Sequence, residues 1–188
     1  MKPKVLVLLG STRRGRVGET VARWLMGQLH ERREADFELV DLREYRLPVE
    51  DGPSPEQDDG VARRWMAKVG AADAFIIVTP EYNHGYPAAL KCALDCAYEE
   101  WNRKPVAFVS YGGHGAGYRA VEQLRQVAIE LQMVPIREQV GIQYPWAAFD
   151  AHSRLVRDGA EQAVRRMVDD LLWWARVLQP ARASGLPA

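Results

Sequence analysis

The chain has 188 residues, 47% of them hydrophobic and 27% charged, and its 25 Lys and Arg balance 25 Asp and Glu. That apolar content excludes a disordered chain, and zero net charge excludes a general nucleic-acid binder, which must neutralise phosphates. No run approaches the roughly 18 apolar residues of a membrane helix, so neither a nucleic acid nor a membrane is an expected partner.

Val5–Leu9 is an unbroken apolar run stopped by Gly10. It reads as a buried first strand rather than a signal peptide, because Arg13 and Arg14 end the apolar stretch and no cleavage site follows. Val17, Val21, Ala22, Leu25 and Leu29 then recur at helical spacing. Phe37–Leu42 is the second strand, 48–59 is a loop rich in Pro, Asp, Glu and Gly, and Val61–Gly70 is a helix. Ala74–Thr79 is the third strand, stopped by Pro80, and Ala88–Trp101 is predicted as one helix. Pro105–Ser110 is the fourth strand. A Gly-rich turn over 112–117 leads into a helix whose buried face is Val121, Leu124, Val127, Ala128 and Leu131. Met133–Val140 contains the fifth strand, a last helix runs from about Ser153 to Leu178, and 179–188 reads as a loose tail.

Strands alternating with helices specify an α/β fold with a parallel sheet. Strands that are apolar throughout imply helices on both faces. No repeat or linker divides the chain, which is expected as one domain over 1–178 with a flexible tail over 179–188. Cys92 and Cys96 are four residues apart in a helical stretch, which suits neither a disulfide nor a C-x-x-C redox pair. The chain therefore reads as reduced and cytoplasmic. No Cys and His have metal-site spacing, and no metal is expected.

Ligands of an open α/β sheet bind beyond the carboxyl ends of the strands. Three loops lie there. The first, Gly10-Ser11-Thr12-Arg13-Arg14-Gly15-Arg16-Val17-Gly18, meets a helix N-terminus with free N–H groups. Its hydroxyls, and the cationic forks of Arg13 and Arg16, suit a phosphate, the alternative being a solvated basic turn. It matches neither a Walker A loop nor G-x-G-x-x-G. The second, Thr79–Pro87, is stiffened by two prolines and offers Tyr82, Tyr86 and Asn83, which suits a flat heteroaromatic ligand. A lone histidine such as His84 is more often structural than catalytic, and Glu81 is as readily a capping carboxylate as a ligand. The third, Ser110–Gly117, has four glycines that allow close backbone approach, although a simple tight turn explains them equally. There is no G-x-S-x-G elbow for a hydrolase.

Gly-Ser-Thr-Arg at 10–13, Thr-Pro-Glu-Tyr-Asn at 79–83 with Pro87 and Leu90-Lys91, and Ser-Tyr-Gly-Gly at 110–113 together resemble the NAD(P)H-dependent FMN reductase family. The resemblance spans roughly Val5 to Val140. It implies a flavodoxin-like three-layer sandwich, with a five-stranded parallel sheet in order 2-1-3-4-5 and non-covalent FMN. Carried over to this chain, it puts Ser11, Arg13, Val17 and Gly18 at the phosphate. It puts Pro80, Glu81, Tyr82 and Asn83 along the isoalloxazine, and Ser110, Tyr111, Gly112 and Gly113 at its other edge. No side chain is implied as catalytic nucleophile or proton donor. Many members carry a serine near Gly18 and an asparagine where Cys92 stands.

The function implied is a ping-pong oxidoreductase. It takes hydride from NADPH or NADH and passes it to a small-molecule acceptor: free flavin, quinone, azo compound or metal ion. Arg14 and Arg16 are candidates for recognising the 2′-phosphate of NADPH. A homodimer or homotetramer is implied, with Tyr98, Trp101 and the second loop as interface elements. The alternative is a flavodoxin-type electron carrier or a flavin-binding module without turnover. Carriers of that type are strongly acidic, which the balanced charge here opposes.

Overall fold

In the computed structural model, residues 2–47, 60–150, 154–156 and 159–185 are described. The expected loop at 48–59 lies outside them. Five strands, β1 (Lys4–Leu9), β2 (Asp36–Asp41), β3 (Ala74–Pro80), β4 (Pro105–Gly112) and β5 (Val134–Gln143), form one parallel sheet in the order β2-β1-β3-β4-β5. The helices are α1 (Gly18–Leu29), α2 (Val61–Gly70), α3 (Ala88–Asp95), α4 (Tyr118–Glu130) and α5 (Ala160–Ala183). This is the flavodoxin-like sandwich that the motifs imply.

Side chains alternate across a strand, so the sheet feeds two cores. Val5, Val7 and Leu9 of β1 pack with Val21 and Leu25 of α1 and Met167 and Leu171 of α5. Leu6 and Leu8 face the other way, among Trp65, Leu90, Trp101 and Leu124. The three central strands are apolar and enclosed along almost their whole length. The edge strands β2 and β5 are not, because only one neighbour shields each of them.

The helix expected over 88–101 stops at Asp95, and a short 3₁₀ turn covers Glu99–Trp101. Burial of Trp101 explains the break. Its ring is fully enclosed, 4.7 Å from that of Phe75 and 6.1 Å from that of Trp65. Its indole N–H donates to Leu94 O at 3.0 Å, and the Trp65 indole donates to Ala93 O at 2.7 Å. Two tryptophans thus satisfy carbonyls that a helix end leaves without partners. Trp101 is a core residue, which removes it from any subunit interface. Tyr98 is 51% exposed.

The last helix begins at Ala160, not near Ser153: Phe149 and Leu155 form an antiparallel bridge in the segment before it. It also continues to Ala183, through Pro180, so 179–183 is helical where a loose tail was expected. Arg182 holds that end down. It donates to Asp73 at 2.6 Å and to the Arg103 carbonyl at 3.1 Å. Among the described residues no helix is long and apolar enough to cross a membrane.

Candidate cofactor site

The carboxyl ends of β1, β3 and β4 lie side by side, with Leu9 opposite Val78, Thr79 opposite Ser110 and Pro80 opposite Tyr111. The three loops therefore meet at one edge of the sheet. Gly10 N donates to Val78 O at 2.9 Å, and Glu81 N to Tyr111 O at 2.9 Å. The Ser11 hydroxyl bonds the Tyr82 phenol at 2.8 Å. The Arg13 guanidinium rests on the same ring, 4.4 Å from its centroid.

The first loop runs into α1 at Val17, whose side chain has no oxygen and caps nothing. The first amides of a helix have no acceptor one turn back; Thr20 N turns to the Val17 carbonyl at 2.9 Å, and among the described residues no side chain caps the amides before it. Gly18 is required here: a methyl group on it would overlap the Tyr111 phenol. That phenol is enclosed and has no hydrogen-bond partner among the described residues. Burial, and secondarily Tyr82, makes it harder to ionise, so it stays neutral. Arg13 is exposed and has no ion pair among the described residues. Unpaired helix amides beside an uncommitted guanidinium are the donor set that a phosphate dianion needs, so the residues present fit FMN.

Arg16 is different from Arg13. Its side chain has no solvent exposure. It donates to the Ser11 carbonyl, grips both oxygens of Asp41 (Nη1 to Oδ1 at 2.9 Å) and reaches Glu19 at 3.3 Å. Burial alone would raise the Asp41 carboxyl, but bonds from Arg16 and from the Arg43 backbone and side chain outweigh it and hold it down at about 2. Arg16 is thus a brace between the first loop and β2. It is neither a free cationic fork nor a reader of a 2′-phosphate. Arg14 remains exposed.

In the second loop, Tyr82 and Gly85 exchange backbone bonds of 2.8 and 3.0 Å around Asn83 (φ 50) and His84 (φ 69). Both residues hold left-handed conformations, which costs energy unless contacts fix them. Asn83 is exposed, Tyr82 half-buried, and the Glu81 side chain only 6% exposed. In the third loop the Ser110 hydroxyl donates to Ala116 O at 2.8 Å. Gly117 (φ 85) sits so close that a Cβ there would lie 2.6 Å from Ser110 Cβ. Of the expected site residues, Ser11, Ser110 and Tyr111 turn their side chains inward, and Gly18, Pro80 and Gly112 are buried. Arg13, Val17, Glu81, Tyr82, Asn83 and Gly113 keep some exposure.

Sequence reasoning passes over several neighbours. Arg119 in α4 bonds both Glu81 and His84. Tyr144 N donates to Gly112 O at 2.7 Å, and its exposed ring meets that of Trp146 at 5.7 Å on the rim of the third loop. Only the aromatic composition of 144–146 was a signal for these; Arg119 had none. Cys92 faces a cavity of about 340 Å³ beside Thr12, walled by Leu42, Tyr45 and Ala88. Among the described residues no group of His, Cys, Asp and Glu is placed to hold a metal.

Residues 3–147 match the family model described as NADPH-dependent FMN reductase. The chain belongs to that family. The family is one of oxidoreductases working with FMN and NAD(P)H. The chain is 46% identical over 138 residues to an NAD(P)H-dependent FMN reductase of Schizosaccharomyces pombe, covering 70% of this chain and 68% of that one. It is 29% identical over 184 residues to a 2-hydroxy-1,4-benzoquinone reductase of a Burkholderia species, covering 94% of this chain and 98% of that one. In fold it is similar to the flavoenzyme NAD(P)H:(acceptor) oxidoreductase FerB of Paracoccus denitrificans. The TM-score is 0.79 at 22% identity, over 94% of this chain and 98% of that one.

Proposed function

We propose that this chain binds FMN non-covalently across its three loops and works as an NAD(P)H-dependent reductase of a small acceptor, with a quinone favoured. The observation that carries the reading is the start of α1. An uncapped helix terminus, a glycine at 18 and an uncommitted Arg13 converge beside the loops that end β3 and β4. Arg13 and the N–H groups of Val17 and Gly18 would take the phosphate. The backbones of Pro80–Asn83 and Ser110–Gly113 would flank the ring. When bound, FMN supplies hydride acceptance from the reduced nicotinamide and delivery of the electron pair to a second molecule, which suits a ping-pong order.

The residues then have separable tasks. Ser11 and Arg16 hold the first loop in shape, Tyr82 closes the first loop on the second, and Ser110 folds the third back on itself. Donors near Gly112 and Gly113 would stabilise negative charge developing at the ring edge. The Burkholderia relative, named for a quinone, favours a quinone as acceptor, with free flavin, azo compounds and metal ions as further candidates. Balanced charge, together with exposed Trp146 and Tyr144 on the site's rim, supports a homodimer or homotetramer, and the free Cys92 and Cys96 support a reducing, cytoplasmic setting.

Absorption spectroscopy tests the core of this. The purified protein, reconstituted with FMN, should show a flavin band that NADPH bleaches without air and a quinone restores. Failure to take up FMN would remove the reading.

A further inference from the structure

Glu81 and His84 belong to the second loop, and Arg119 to the first turn of α4, beyond the third loop. The guanidinium bonds both. Its Nε lies 2.5 Å from Glu81 Oε1, which Nη2 also contacts, and its Nη1 lies 2.8 Å from His84 Nε2. One helical turn on, Gln123 donates to the His84 backbone carbonyl at 3.1 Å. The third loop is drawn in too: a Cβ on Gly115 would lie 2.7 Å from Arg119 Nη2. The Glu81 side chain is almost enclosed, and its second oxygen has no partner among the described residues.

We infer that Arg119 is a positioning residue of the proposed ring site, setting the gap between the second and third loops, and that it does so only while His84 is neutral. The inference rests on the flavin reading of these loops. A guanidinium only donates hydrogen bonds, so His84 Nε2 must be the acceptor and Nδ1 must carry the proton. Protonating His84 replaces that lone pair with an N–H aimed at another donor. Among the described residues, the charged groups that touch His84 are Arg119 itself and, through it, Glu81; Gln123 meets only the backbone. An imidazolium would repel Arg119 and attract Glu81, so both bonds of the clamp would rearrange together. The turn is sensitive to this because Asn83 and His84 both hold positive φ. Such a conformation persists only where its surroundings enforce it.

FMN titrations of the apo-protein, followed by quenching of flavin fluorescence, test the inference at about pH 8 and about pH 5.5, the two ends of the range over which histidine side chains in general can change charge. The proteins compared are wild type, His84→Gln, Arg119→Ala and Arg119→Lys, with thermal melts of each FMN-free protein alongside. His84→Gln keeps a side-chain acceptor that does not titrate. The phosphate's own titration is common to all four and cancels in the comparison.

Wild type should lose affinity about tenfold more than His84→Gln on acidification, the scale of one charge-assisted bond. Arg119→Ala should bind about tenfold more weakly at both pH values and melt lower, since the nearly enclosed Glu81 loses its partner; Arg119→Lys, which keeps a charge beside Glu81, should recover the melt but not the binding, because a single ammonium cannot span both partners. Equal pH dependence in wild type and His84→Gln, or wild-type affinity in Arg119→Ala, overturns the inference and leaves the flavin reading standing. Failure of wild type to bind FMN at either pH overturns both.

Discussion

Arg16 and Asp41 face each other in a two-point ion pair that fastens the first loop to the end of β2, 25 residues away in sequence. The same guanidinium holds the Ser11 carbonyl. A buried cation of this kind acts on a ligand only through the backbone it shapes, whereas Arg13, three residues earlier, lies exposed against the Tyr82 ring with no ion pair among the described residues.

Arg16→Ala and Arg13→Ala should therefore have opposite signatures. The first leaves Asp41 without its main partner and should lower stability by about 2–3 kcal/mol, less than a fully buried pair because Asp41 keeps some solvent contact. The second loses only an exposed contact with the Tyr82 ring, so it should lower stability by at most about 1 kcal/mol while weakening FMN binding by about 1–3 kcal/mol. Urea unfolding and FMN titration of both variants check this; a loss of stability in Arg13→Ala as large as that in Arg16→Ala would contradict it.

Asp41 also makes the fold acid-sensitive. Its carboxyl titrates at about 2 in the folded protein, below its ordinary 3.8. A depressed carboxyl contributes stability that is present above the ordinary value and lost as pH falls toward the folded one. Urea midpoints should thus fall between about pH 4 and about pH 2, by less in Asp41→Asn, which has already lost the charge.

Gly18 and Tyr111 should be coupled. Gly18→Ala drives a methyl into the phenol and should destabilise the protein and weaken FMN binding. Tyr111→Phe removes a buried hydroxyl that has no partner among the described residues, so on its own it should be neutral or stabilising by about 1 kcal/mol. In the double variant the phenyl should relieve much of the Gly18→Ala defect. Independent, additive effects in melts of the four proteins would refute the contact.

Lys104 should act in the alkaline range. It is buried, donates to the Val69 and Gly70 carbonyls at 2.9 Å each, and burial, then Arg182, pushes its pKa down to about 8 from 10.5. A lysine with a lowered folded value binds fewer protons than the unfolded chain between those two limits, so its contribution to stability rises as pH climbs from about 8 to about 10.5. Stability measured relative to Lys104→Met should increase over that window; a constant difference would mean that the amine titrates normally.

Much of the fold was legible because its signals are local. Unbroken apolar runs at Val5–Leu9 and Ala74–Thr79, each ended by Gly or Pro, located strands that the structure extends by only a residue or so. Local pattern misread the stretch 88–101, since nothing near Trp101 announces that Trp65 and Phe75 are waiting for its ring. It misread 179–183 likewise, because Pro180 argues for a chain end and Asp73, which holds Arg182, lies 109 residues back.

The site divides the same way. The sequence by itself determined that three loops, one basic, one aromatic and one glycine-rich, each follow an apolar strand, since strand and turn chemistry are written within a few residues. Only the tertiary structure decided which side chains of those loops are free. Arg16 is consumed by Asp41, Tyr111 is buried beneath Gly18, and Glu81 and His84 are held by Arg119. Each of those partners comes from a distant part of the chain, and ion pairing and burial depend on distance in space, which spacing in sequence does not encode.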